Sequence, residues 1–263
     1  MEIRVRSWKV FSNFEADSVN SVLYRSFDRW IQRLQWPVAV LAVLILPSLV
    51  WATYCLASRV LIMPRSTIAF CAGVSIFVLV WRFILRFQSM GRWLMRAEHE
   101  ATHLLFALLT FHPIVGLSRE EKKGSHVRFL GSGNWIIQIA PYFFPTAAVF
   151  LWLFAIFLPL SFFFLPWTSI ALGIATGFHV VSTIREIRRD QKELIALSWK
   201  FCWMFLPSAN ILMIGFLIAF SKDGFSGLGA FIGDMIDPAR WLLQAAIGNN
   251  SNLTESDMSG LTY

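Results

Sequence analysis

Pro145-Thr146-Ala147-Ala148-Val149-Phe150-Leu151-Trp152-Leu153-Phe154-Ala155-Ile156-Phe157-Leu158-Pro159 lies inside a run of 56 residues, 129–184, that holds no Asp, Glu, Lys or Arg. A neutral run of that length threads as two membrane spans joined by a turn, and Pro159 and Pro166 mark the turn. Composition agrees. Of 263 residues, 56% are hydrophobic and only 15% charged, and the mean hydropathy is +0.58, all outside the range of soluble domains. The 25 Phe and 12 Trp suit a lipid-facing surface with interfacial anchors.

Working outward, apolar segments at Val38 to Ala57, Thr67 to Phe87, Trp135 to Leu158, Trp167 to Ile184 and Phe201 to Phe220 make about five transmembrane helices. The fold class expected is an all-α polytopic membrane protein. Residues 1–36 form a cytoplasmic or interfacial segment, in which Val22, Phe27, Trp30 and Leu34 repeat at helical spacing among Arg25, Arg29 and Arg33. Residues 37–220 form the membrane-embedded domain. Residues 221–263 form a tail with an amphipathic stretch, Leu228 to Ile247, and a Ser/Asn/Thr-rich end expected to be disordered. Ile114 to Leu117 and Ser125 to Leu130 read as a small β-hairpin.

The net charge of +7 comes from short basic clusters flanking apolar spans, with no stripe or motif for nucleic acid, so no nucleic-acid partner is expected. These clusters report topology. Lys and Arg number six before residue 37, four in 82–96, four in 119–128 and five in 185–200, against two in 59–65 and two after 220. Placing the rich regions, and with them the N-terminus, in the cytoplasm of a bacterial-type cell membrane satisfies the positive-inside rule only if residues 97–111 enter and leave on one side. That segment is about 22 Å long, short of a ~30 Å hydrocarbon core, and so is expected to dip in and return. Three unpaired Cys in apolar segments imply no disulfide framework. The N-terminus lacks the pattern of a removable signal peptide.

The re-entrant segment carries His99-Glu100-Ala101-Thr102-His103. Two imidazoles four residues apart share one helix face and can grip one Zn2+, while Glu100 beside them can take a proton from an activated water. A third ligand is needed for a catalytic site. His179 lies at matching depth in an apolar span, where an ionisable group is costly and points to function. Glu186 and Asp190 are the alternatives. They share a polar face with His179, Thr183 and Glu193, and either could bind metal directly or hold an imidazole N–H. Glu193 is expected on a solvated face, and His112 and His126 in loop or hairpin surroundings. Thr102, Asn134, Gln138 and Thr183 could line a water path.

Glu98-His99-Glu100-Ala101-Thr102-His103, the hairpin with Gly124-Ser125-His126-Val127, Ala140-Pro141-Tyr142-Phe143-Phe144-Pro145, and the looser Gly177-Phe178-His179 and Gln191-Lys192-Glu193-Leu194 together resemble the membrane-embedded zinc metallopeptidases related to the site-two proteases. The resemblance implies zinc near the cytoplasmic face, a hairpin lining a substrate groove, here His126, Val127 and Asn134, and cleavage of a transmembrane segment of another protein. One departure is plain: the family's Asp-Gly ligand block on a later span has no counterpart inside any span here. The expected function is that of a zinc-dependent intramembrane endopeptidase, partnered by the lipid bilayer and a membrane-protein substrate. The alternative is a non-proteolytic zinc-binding membrane protein, a transporter subunit or assembly factor. Oligomeric state is not legible.

Overall fold

The computed structural model describes residues 19–61, 65–120, 124–129, 133–156, 166–188 and 191–259. The chain is helical, with four helices long and apolar enough to cross a membrane, or five if one bent pair counts as a span. Helix α1 (Val19–Leu61) runs unbroken through Pro37 and Pro47, so the basic amphipathic segment and the first stretch apolar enough to cross a membrane are one helix. Its outer face leaves Leu41, Leu44, Trp51 and Tyr54 exposed, as lipid contact requires. Its inner face is small: Ala39, Ala42 and Ala52 are buried against the long last helix, where the Ser208 hydroxyl donates to the Ala42 carbonyl at 2.5 Å.

Helix α2 (Arg65–Phe83) is the second helix long and apolar enough to cross a membrane, and it packs on α6 (Pro166–Glu186) through reciprocal glycines. A Cβ on Gly73 would lie 2.2 Å from the Ile170 carbonyl oxygen, and one on Gly173 2.1 Å from that of Phe70. Close backbone approach replaces the hydrophobic effect as the source of helix association in lipid. Gly173→Ala is therefore expected to lower stability by about 3 kcal/mol, the upper range for overpacking, because the clash is with backbone and cannot be relieved by a rotamer. Thermal unfolding in detergent measures it, with Gly229→Ala, which meets nothing within 4 Å, as the reference.

After α2 a 3-10 turn at Leu85–Phe87 leads into α3 (Ser89–Leu109). The helix of the histidines thus begins well before the apolar segment at 97, on a stretch bearing exposed Arg92 and Arg96, and it is not among the helices apolar enough to span. It ends in a tight reversal. His112 N–H bonds the Ala107 carbonyl at 2.8 Å and Phe111 N–H that of Leu108 at 3.0 Å, with Phe111 at φ 62° in the left-handed region usually left to glycine. The chain leaves into β1 (Ile114–Glu120), which pairs antiparallel with β2 (Gly124–Phe129).

The expected single span Trp135 to Leu158 is broken. Helix α4 (Trp135–Ile139) continues as a 3-10 turn, Ala140–Tyr142, and α5 (Thr146–Ile156) departs at 84°. Pro141 and Pro145 cause this by withholding two helical N–H donors and crowding the preceding turn. Helix α7 (Lys192–Leu197) is short, and α8 (Trp199–Ser259) is two helices joined at the non-helical Asp223 and Gly224, the second turned back on the first so that a Cβ on Gly227 would lie 2.1 Å from the Ala219 carbonyl oxygen. Beyond that break Phe231 is buried on Ala52, Leu56 and Ala219, and the Ser/Asn/Thr-rich stretch expected to be disordered is helical to Ser259. The core nearest the histidines gathers Trp135, Ile139, Tyr142, Leu194 and Phe201 around Ile31 and Ala39 of α1.

Candidate metal centre

Helical spacing puts His99 and His103 side by side on α3, and each ring is fixed by a bond at Nδ1. His103 Nδ1 meets the Ile137 carbonyl oxygen at 2.8 Å, and His99 Nδ1 meets Glu186 Oε2, at the end of α6, at 2.7 Å. A carbonyl and a carboxylate can only accept, so both Nδ1 atoms carry the proton. The two Nε2 atoms then face each other at 3.0 Å. With one ring doubly protonated the contact is an N–H···N hydrogen bond; with a metal ion in place of that proton both nitrogens become ligands. A tetrahedral ion with Zn–N of roughly 2.0–2.1 Å holds two nitrogens about 3.3 Å apart, so the donor pair fits zinc with a few tenths of an ångström of opening.

The surroundings favour this use. Burial alone would depress His99, but the Glu186 carboxylate outweighs it and leaves the imidazole more basic than usual, with Glu100 and Glu193 adding to the effect. A more basic imidazole is a better metal ligand. Glu100 is half-buried on the same helix. The ring of Tyr142 meets that of His99 edge-on at 5.5 Å, and its hydroxyl donates to Glu193 Oε2 at 3.5 Å. Glu193, expected on a solvated face, thus turns inward to a buried phenol.

His179 is buried but is not brought to the pair. Its ring nitrogens are engaged by Asn210 and the Phe143 backbone, with Thr183 Oγ1 at 3.4 Å and Glu98 Oε1 at 4.0 Å. Asn210 in turn donates to the Tyr142 carbonyl at 3.0 Å. The Tyr142 ring therefore meets His99, whereas the backbone of Tyr142 and Phe143 meets Asn210 and His179. Among the described residues no three His, Cys, Asp or Glu side chains are grouped to hold a metal. Asp190 lies outside the described residues. Glu98 joins the site without a signal in its sequence pattern: burial pushes its carboxyl up to about 8 against an Ala147 N–H, and its Oε1 has no hydrogen-bond partner.

No family model matches the chain, and no curated protein or solved structure does.

Three further placements differ from expectation. His112 is 1% exposed, between Asp28 Oδ2 at 3.0 Å and Thr110 Oγ1 at 2.9 Å, because Asp28 of α1 supplies the partner that a loop histidine would lack. Asn134 is equally buried and caps α4, its Oδ1 accepting from Ile137 N–H at 3.2 Å, so its side chain is committed to the helix start. Thr102, expected beside a water path, is buried and bonds the Glu98 carbonyl and Thr146. Of the hairpin residues, His126 pairs across from Ser118 and Val127 from Leu117.

Glu186→Gln is expected to weaken metal binding by roughly 10- to 100-fold, the cost of losing the carboxylate that orients a ligating imidazole. Chelator competition on purified protein reads the shift. An unchanged affinity would show that the Glu186 to His99 bond does not tune the donor pair.

Proposed function

We propose that this chain is a zinc-dependent intramembrane endopeptidase, with His99 and His103 as two metal ligands and Glu100 as the proton acceptor; the third protein ligand that a catalytic zinc takes is not grouped with them among the described residues. The observation that carries the reading is the convergence of the two Nε2 atoms at 3.0 Å while each Nδ1 is engaged, by Ile137 and by Glu186. Such a pair can take a cation in place of the proton between them, and its sequence frame, with a glutamate immediately after the first histidine, is that of metal-assisted hydrolysis. Zinc, when bound, supplies Lewis acidity to a carbonyl oxygen and makes a water acidic near neutral pH.

The chain's own groups do the rest. Glu100 takes a proton at its carboxylate and returns it to the departing amine. Glu186 and the Ile137 carbonyl keep the imidazole protons on Nδ1 and the lone pairs on the opposite edge. Tyr142 closes one side of His99 with an aromatic ring and limits access of bulk water there. The setting supports a membrane substrate: the histidine helix lies among helices long and apolar enough to span, without being one itself. A peptide bond reaching it would come from a transmembrane segment unwound near the bilayer boundary.

Metal content decides the first half of the reading. Purified wild-type chain should carry about one zinc per molecule, and His99→Ala should carry little. Equal and substoichiometric metal in both would overturn it.

A further inference from the structure

We propose that Asp28, on the N-terminal helix, is a positioning residue for His103, so that α1 belongs to the metal centre as well as anchoring the chain; this rests on the metal reading above. The path is continuous and short. His103 Nδ1 donates to the Ile137 carbonyl at 2.8 Å, Ile137 N donates to Asn134 Oδ1 at 3.2 Å, and Asn134 Nδ2 donates to Asp28 Oδ1 at 2.8 Å. The second carboxylate oxygen is also used. Asp28 Oδ2 holds His112 Nε2 at 3.0 Å, His112 Nδ1 meets Thr110 Oγ1 at 2.9 Å, and that hydroxyl donates to the Phe106 carbonyl at 2.7 Å, on α3 one turn past His103.

One carboxylate therefore grips both sides of the ligand: the helix that carries His103 and the carbonyl that orients its ring. The arrangement matters because α4 has five residues, too few to hold its own position by helical propagation. Its start is set by its cap. The Asn134 amide can satisfy the Ile137 N–H only in the orientation that Asp28 enforces by accepting from Nδ2. Without that acceptor the amide can rotate or shift, the Ile137 carbonyl moves with its helix, and the His103 ring loses the contact that aims Nε2 at His99. Asn134 and His112 are each 1% exposed, so water cannot easily replace Asp28.

A merely structural Asp28 would lower thermal stability and leave metal geometry alone, which separates the two ideas. The test uses the full chain in detergent loaded with Co2+, whose visible spectrum reports ligand geometry, with affinity from chelator competition. Asp28→Ala is expected to weaken cobalt binding by roughly 10- to 100-fold and to change the spectrum. Asp28→Asn offers one acceptor to two donors and should weaken it by about 10-fold. Asp234→Asn, which breaks the ion pair with Arg59 at the other end of α1, should lower the melting temperature with spectrum and affinity unchanged. If Asp28→Ala does not fold, the near-isosteric Asp28→Asn carries the test alone. Wild-type spectrum and affinity in the Asp28 variants would overturn the positioning role and leave the metal reading standing. Failure of the wild-type chain to bind cobalt would overturn both.

Discussion

Glu100→Gln is expected to retain zinc and to lose at least roughly 100-fold, and up to about 10,000-fold, in the rate of peptide hydrolysis, the range for removing a positioned proton acceptor. The amide keeps the size and the polar contacts of the side chain but cannot take up the proton. Glu100 is half-buried one residue from His99 and acts on it through its charge, so the substitution also makes His99 slightly less basic. That secondary effect is small beside Glu186, which bonds the ring directly. Metal analysis and cleavage of a model transmembrane peptide, reconstituted with each protein in the same micelles, should be run in parallel. Cleavage by the Gln variant within a few-fold of wild type would remove Glu100 from the chemistry, and loss of metal would recast it as a structural support of the site.

The donor pair was legible in the sequence because its geometry is local. Spacing of four on a helix fixes a shared face whatever else the chain does, and the spans follow from apolar length alone. What was not legible depends on groups far apart in sequence. Asp28 meets His112 across 84 residues and Asn134 across 106, and nothing in a loop histidine or a lone Asn signals such partners. The bend at Pro141 and Pro145 was hidden for another reason. Proline is tolerated in membrane helices, so an apolar run containing it reads as one span until the 84° turn is seen. That bend positions the site: it places the Ile137 carbonyl against His103 and the Tyr142 ring against His99.

Depth along a helix fixes only one coordinate of His179. His179 and His103 can lie equally far from a membrane boundary and still point to different neighbours, and the bonds from His179 lead to Asn210 and Phe143. Contrasting variants make this measurable. His103→Ala is expected to abolish stoichiometric zinc, because it deletes one of two converging nitrogens and leaves a single imidazole at the site. His179→Ala is expected to keep the metal, with affinity lowered by no more than roughly 100-fold, the ceiling for a group acting through others. Its cost falls on the fold instead: about 2–3 kcal/mol, from a buried cavity and from the Asn210 and Phe143 partners left unpaired between α6, α8 and the proline corner. Thermal unfolding with and without chelator separates the two effects. A His179→Ala protein that melts like wild type but holds no zinc would restore His179 as a ligand and require the Tyr142 and Phe143 corner to move aside when metal binds.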